Sequence, residues 1–193
     1  MVVTANAGEL PIPGHEMEAS MVDWPGSGSS EAGITTGVDS AAAAVAGDAA
    51  AMTLALEQAR LAPAHGDVPV GAVALVDGVV VAAAHNERQR RGDPTAHAEI
   101  LLLQQAAERL GTWRLAEVTV AVTLEPCPMC AGGLVAARVG RLVFAAADPK
   151  AGACGTLYNL CADPRLNHEI AVTSGVMADE SAALLSAFFA GRR

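Results

Sequence analysis

The sequence predicts a layered α/β domain, and three observations carry that reading. Short β-branched runs alternate with segments of helical period along residues 52–190. Apolar residues make up 52% of the 193-residue chain and charged residues 17%, enough for a packed core. No stretch of about 18 uncharged apolar residues occurs, so the hydrophobic segments are expected inside a domain and not across a membrane. Aromatics are only 3%, which points to a core of small side chains.

The elements follow in order. Residues 1–49 hold seven acids and no Lys or Arg, and so carry −7 of the net −9. With Pro11, Pro13, Pro25, the Gly/Ser run Gly26–Ser30 and the Ala run Ala41–Ala44, they have the composition of a disordered, low-complexity acidic tail. The folded domain is expected over 50–193, nearly neutral and open to a local basic patch. Met52–Leu61 reads as an amphipathic helix ended near Pro63. Val68–Leu75 and Val79–His85 read as strands, joined through Asp77-Gly78, a strong hairpin signal. A polar loop, Asn86–Asp93, carries Arg88, Arg90 and Arg91. Ala96–Leu110 is a helix, Val118–Val122 a strand, Pro128–Arg138 a helix and Arg141–Ala146 a strand. The Gly-rich stretch Asp148–Gly155 is a loop, Ile170–Thr173 a short fifth strand and Ser181–Ala190 a closing helix.

Chemistry concentrates in two segments, Asp93-Pro94-Thr95-Ala96-His97-Ala98-Glu99 and Glu125-Pro126-Cys127-Pro128-Met129-Cys130. One imidazole and two thiolates supply three of the four tetrahedral ligands that zinc prefers, leaving a position for water. Cys127 and Cys130, three apart, share one side of a helical first turn. Pro128 suits the first helical position, where its missing N–H costs nothing, and the helix N-terminus favours thiolate. Glu99 lies two positions beyond His97, about 200° around a helix axis, and so does not share its orientation. Its expected work is proton transfer, from the attacking water to a ring nitrogen and then to a leaving amine. A lone Cys-x-x-Cys would fit a redox or structural site; the ordered combination with His-x-Glu matches the signature of zinc-dependent nucleobase deaminases. Cys154 and Cys161 lack ligand spacing and read as thiols, His168 as a structural histidine. With no secretory signal, the compartment is expected to be cytoplasmic.

Residues 52–193 resemble the bacterial tRNA-specific adenosine deaminases of the cytidine/deoxycytidylate deaminase superfamily. The residues that carry the resemblance include Val68–Val73, Asn86, Asp93–Glu99, Thr123–Cys127, Cys130–Gly132, Asp148–Gly152, Asn167-His168 and Leu184–Phe189. It implies a three-layer α/β/α cytidine-deaminase-like fold with a central mixed five-stranded sheet. It further implies one zinc per subunit, no organic cofactor, and a homodimer that holds a tRNA anticodon stem-loop between subunits. The reaction implied is deamination of the wobble adenosine to inosine in an arginine tRNA.

Carried over by position, Asn86 would hydrogen-bond the flipped base while the backbone at Ala98 and the segment around Val70 line its pocket. Asp148 would contact the sugar–phosphate and Lys150 a phosphate. Phe188, Phe189, Arg192 and Arg193 would form part of the anticodon-loop surface; the two phenylalanines are adjacent and cannot share one helix face, so one is expected in the core and the other exposed. Ala147 departs from the family, which often has a basic residue there, and the acidic segment 1–49 has no counterpart. Two alternatives are a free-base or nucleoside deaminase, guanine deaminase foremost, and a non-catalytic zinc-stabilised RNA-binding protein. Retention of Glu99 argues against the latter, since a structural site needs no proton shuttle.

Overall fold

The computed structural model describes residues 37–192, with side-chain detail from residue 47. The elements are α1 Gly37–Ala59, β1 Gly71–Val76, β2 Val79–His85, the single-turn α2 Arg88–Arg91, α3 Ala98–Leu110 and β3 Thr119–Leu124. They continue with α4 Pro128–Ala136, β4 Arg141–Ala146, β5 Ala171–Ser174 and α5 Ala178–Ala190. The sheet has five strands in the order β2-β1-β3-β4-β5. β1 pairs antiparallel with β2 and β3, whereas β3–β4 and β4–β5 are parallel, so the sheet is mixed as expected.

Strand alternation divides the core between two faces. Ala72, Ala74, Val120, Val122, Leu142 and Phe144 pack with Leu101 and Leu102 of α3 and Leu134 of α4. Val73, Ala121, Val143 and Ala145 face the other way, onto Met52, Ala55 and Leu56 of α1 and Leu184 of α5. Helices therefore cover both faces, the α/β/α layering that the resemblance implies. The β1–β2 turn is the expected one: Asp77 and Gly78 both have positive φ, 49° and 76°, as a type I′ turn requires.

The boundary between tail and domain is displaced. The first helix was expected from Met52, with residues 1–49 outside the domain, but α1 starts at Gly37. The Ala-rich run that lacks amphipathic period is still good helix material, Ala having the highest intrinsic propensity. Asp48, expected in the tail, is buried and grips Arg141 of β4 through two bonds, Nη1–Oδ1 2.5 Å and Nη2–Oδ2 2.6 Å. Arg141 also donates to Thr173 Oγ1 of β5 at 2.9 Å, so one ion pair joins α1 to two strands. The tail expectation for residues 1–36 lies outside the described residues. A second difference is α2, a helical turn within the expected polar loop. The backbone N–H groups of Gln89 and Arg90 donate to the buried Asp67 carboxylate at 2.8 and 3.3 Å, satisfying amides that a helix start leaves free.

Candidate active site

Two helix starts converge at the site. His97 is the N-cap residue of α3 and Cys127 that of α4, with Pro128 at the first helical position as the sequence predicts. Cys130 lies one turn into α4 and is fully buried. The His97 Nδ1 atom is 3.8 Å from Cys127 Sγ and 3.5 Å from Cys130 Sγ. All three ligand atoms lie within 4.8 Å of one another, and they form the one such cluster among the described residues. Ligands of a tetrahedral zinc ion, at bond lengths near 2.05 and 2.3 Å, would sit about 3.6 Å apart. The donor set therefore fits a tetrahedral ion of that size without rearrangement.

Its electrostatics fit as well. The Cys127 thiol is drawn down to about 4, first by the hydrogen bond from Cys130 and then by the His97 imidazole. Cys130 is pushed up because Cys127 already holds the shared negative charge and because it is buried. One of the two sulfurs is thus a ready thiolate, and a bound cation is what would let both ionise. Glu99, in the first turn of α3, is buried, and burial pushes its carboxyl above the usual range. A carboxyl raised in this way is suited to giving and taking protons near neutral pH.

These groups open onto a cavity of about 220 Å³, below the range of about 300–1,000 Å³ typical of drug-sized ligands. It suits a single small ring system. The cavity lies beyond the C-terminal ends of β3 and β4, where open α/β sheets bind ligands. Val70, Asn86 and Asp148 line it together with His97, Glu99 and Cys127, so these expectations meet in one place. Asn86 is fastened at both ends: its Nδ2 donates to Val68 O at 3.1 Å, and its Oδ1 accepts from Ala98 N–H at 2.9 Å. Ala98, expected to line the pocket through its backbone, is buried and has its N–H committed to Asn86. Asp148 Oδ1 accepts from the N–H groups of Lys150 and Ala151 at 2.9 and 3.2 Å. The Lys150 side chain is exposed on that turn and does not line the cavity.

The C-terminal end closes one side. Arg192 donates from Nη2 to Gly66 O at 2.6 Å, and its guanidinium sits 4.2 Å from the centre of the Phe188 ring. Phe188 is half-buried beneath it and Phe189 is 51% exposed, which assigns the two phenylalanines. Arg193 lies outside the described residues. The basic loop is less free than its composition implies. Glu87 pairs with Arg90 at 2.8 Å and with Arg91, whereas Arg88 lines the cavity without an acidic partner among the described residues.

Sequence reasoning gave no role to several cavity residues, Gly66, Asp67 and Glu125 among them. Gly66 and Asp67 carry no local signal. Glu125 does carry one, standing two residues before Cys127. Burial pushes its carboxyl up, yet hydrogen bonds from Thr156, Asp148 and Cys154 outweigh that and hold it below the usual range. Cys154 and Cys161 are buried free thiols, and His168 Nε2 bonds Val139 O at 2.7 Å, as a structural histidine does.

A buried carboxyl stands beside three side chains able to hold a metal ion, at the strand ends of a mixed α/β/α sheet, an arrangement suited to a hydrolytic deaminase. The chain belongs to the MafB19-like deaminase family, whose model matches residues 46–190. Within it the chain falls with the tRNA-specific adenosine deaminases. It is 49% identical to the Bacillus subtilis tRNA-specific adenosine deaminase over 138 residues, 72% of this chain and 86% of that one. A solved structure from work on A-to-I editing by tRNA:A34 deaminases has a TM-score of 0.68 and 43% identity, covering 70% of this chain and 99% of its own. The guanine deaminase of Nitrosomonas europaea is more distant, with a TM-score of 0.63 and 29% identity over 74% of this chain and 84% of its own.

Proposed function

We propose that this protein is a zinc-dependent tRNA adenosine deaminase that converts the wobble adenosine of an arginine tRNA anticodon to inosine. The observation that carries the chemistry is Glu99, a buried carboxyl with raised proton affinity beside three soft ligands and a small cavity. The substrate rests on the tRNA-specific relatives at up to 49% identity.

His97, Cys127 and Cys130 would hold the zinc, which when bound supplies Lewis-acid activation and makes hydroxide available near neutral pH. Glu99 takes the proton of the attacking water and delivers it to N1 of the adenine ring as oxygen adds at C6. It then carries the proton of the new C6 hydroxyl to the exocyclic amine, which leaves as ammonia while C6 becomes a carbonyl. Asn86, fixed between Val68 and Ala98, keeps its second Nδ2 hydrogen for an acceptor on the base. The base must leave its stack to enter, at lower cost from a single-stranded loop than from a duplex. Arg88, Lys150 and Arg192 would meet phosphates, and Phe189, which is exposed, would offer a stacking face. Asp148 would meet the sugar–phosphate of the target nucleotide.

The active form on this reading is a homodimer with the anticodon loop between subunits. Leu157 and Tyr158, exposed at 51% and 59% on the loop beyond Asp148, suit such an interface. No helix among the described residues is long and apolar enough to cross a membrane. Four free cysteines fit a reducing cytoplasm.

The test is inosine formation, read by mass spectrometry, in an arginine tRNA anticodon stem-loop with the zinc-loaded protein. Product should appear with the stem-loop and vanish after chelation, then return with added zinc. Turnover of free guanine with no inosine in the stem-loop would overturn the reading in favour of a free-base deaminase.

A further inference from the structure

Glu125 is a buried carboxylate that lines the cavity and takes no part in the proton transfers. Glu125 ends the approach to the metal ligands, and its own N–H donates to Ala146 O at 2.8 Å, fixing the end of β3 against β4. Its carboxylate faces no Lys or Arg partner among the described residues and instead collects donors from one loop. Oε2 accepts from Asp148 N–H at 3.1 Å and from the Thr156 hydroxyl. Oε1 accepts from Cys154 N–H and Thr156 N–H, each at 3.0 Å. Four hydrogen bonds thus satisfy a side chain that burial would otherwise penalise.

The approach is close enough to restrict the sequence opposite. A Cβ on Gly152 would run into the Glu125 carboxylate and come within 2.7 Å of Asp148 O. Only a residue without a side chain lets the loop wrap the carboxylate this tightly. The same loop is tied to the metal-ligand segment by Ala153 N–H, which donates to Pro126 O at 2.9 Å. Its inner side, at Asp148 and Ala151, lines the cavity beside Glu125 itself.

We propose that Glu125 is a positioning residue: its carboxylate holds the 148–156 loop against the Pro126–Cys127 segment and so sets how well the site grips its substrate. The inference rests on the RNA deaminase reading. A loop whose amides turn inward to one carboxylate presents Asp148 in a fixed place, so the ordering is done before substrate arrives. Glu125→Gln exchanges one acceptor oxygen for an NH₂ that confronts N–H donors, loosening the loop without emptying the space.

The experiment measures KM and kcat on the anticodon stem-loop with zinc-loaded full-length protein, and zinc content by mass spectrometry. For Glu125→Gln, KM should rise about tenfold, the low end of what outer-shell changes cost, with a smaller fall in kcat and one zinc retained. Thr156→Val, which removes only the hydroxyl donor, should raise KM about threefold, and Thr156→Ser should restore it. The threonine pair keeps the test in force if the glutamine variant does not fold. A loss confined to kcat, in proportion to the fraction of folded, zinc-loaded protein and with KM unchanged across the series, would overturn the proposal and leave Glu125 a purely structural residue. Wild-type inosine formation in the same series carries the parent reading, so a flat KM counts against Glu125 alone.

Discussion

The link between Asp48 and Arg141 makes a prediction that composition alone would reverse. By composition, residues up to 49 are dispensable. In the fold, Asp48 is buried on α1 and holds both terminal nitrogens of Arg141, whose side chain is 32% exposed. Breaking a fully buried pair costs about 3–5 kcal/mol, because one charge is left without a partner, while an exposed pair is worth about 0–1 kcal/mol. Arg141 is a third exposed, so water takes over part of the lost interaction, and Thr173 still accepts one bond. An intermediate figure of about 2 kcal/mol follows for Asp48→Ala. For a domain of this size that is a fall in Tm of about 4–8 °C. Thermal unfolding followed by circular dichroism measures it, and Arg141→Gln with the double variant isolates the pair: the double loss should fall well short of the summed single losses. Truncation through residue 49 should destabilise at least as much as Asp48→Ala. A shift under about 1 °C in Asp48→Ala, or strict additivity in the cycle, would refute the reasoning.

Three further outcomes follow. Glu99→Gln should retain zinc and fold but lose turnover by a factor of about 10² or more, the usual worth of a positioned proton carrier, and unchanged single-turnover rates would remove Glu99 from that role. His85, with both ring nitrogens buried and Glu87 Oε1 at 3.6 Å, is held below 6.5 by burial against the pull of that carboxylate, with His65, Arg90 and Asp67 also facing it. Between its folded value and 6.5 the unfolded chain binds more protons, so stability should fall as pH drops through that window; His85→Leu should flatten that limb of a urea-melt series, and parallel limbs would sink the assignment. Gly152→Ala should lower Tm and raise KM together, since its new methyl meets the Glu125 carboxylate, and wild-type behaviour in both would contradict the crowding.

What was readable along the chain was what short segments decide. His97, Glu99 and the Cys127/Cys130 pair announce themselves because metal-binding chemistry demands particular side chains, and the helix-turn spacing of the two cysteines survives in one dimension. The hairpin was legible in Asp77-Gly78, since few residues tolerate two positive φ angles in succession. The small-residue strands were legible from their β-branching, though their order in the sheet was not.

The rest required residues distant in sequence to meet. Asp48 finds Arg141 across 93 positions, and no local pattern separates an acid bound for an ion pair from one in a solvated tail. Glu125 gathers amides 23 to 31 positions away, and backbone donors leave no mark in a sequence. Which phenylalanine faces solvent depends on where α5 docks and on Arg192 reaching Gly66. The candidate chemistry of the site was legible in one dimension, because it resides in side-chain identity. How the domain holds that site in place was not, because packing and backbone hydrogen bonds depend on proximity in space.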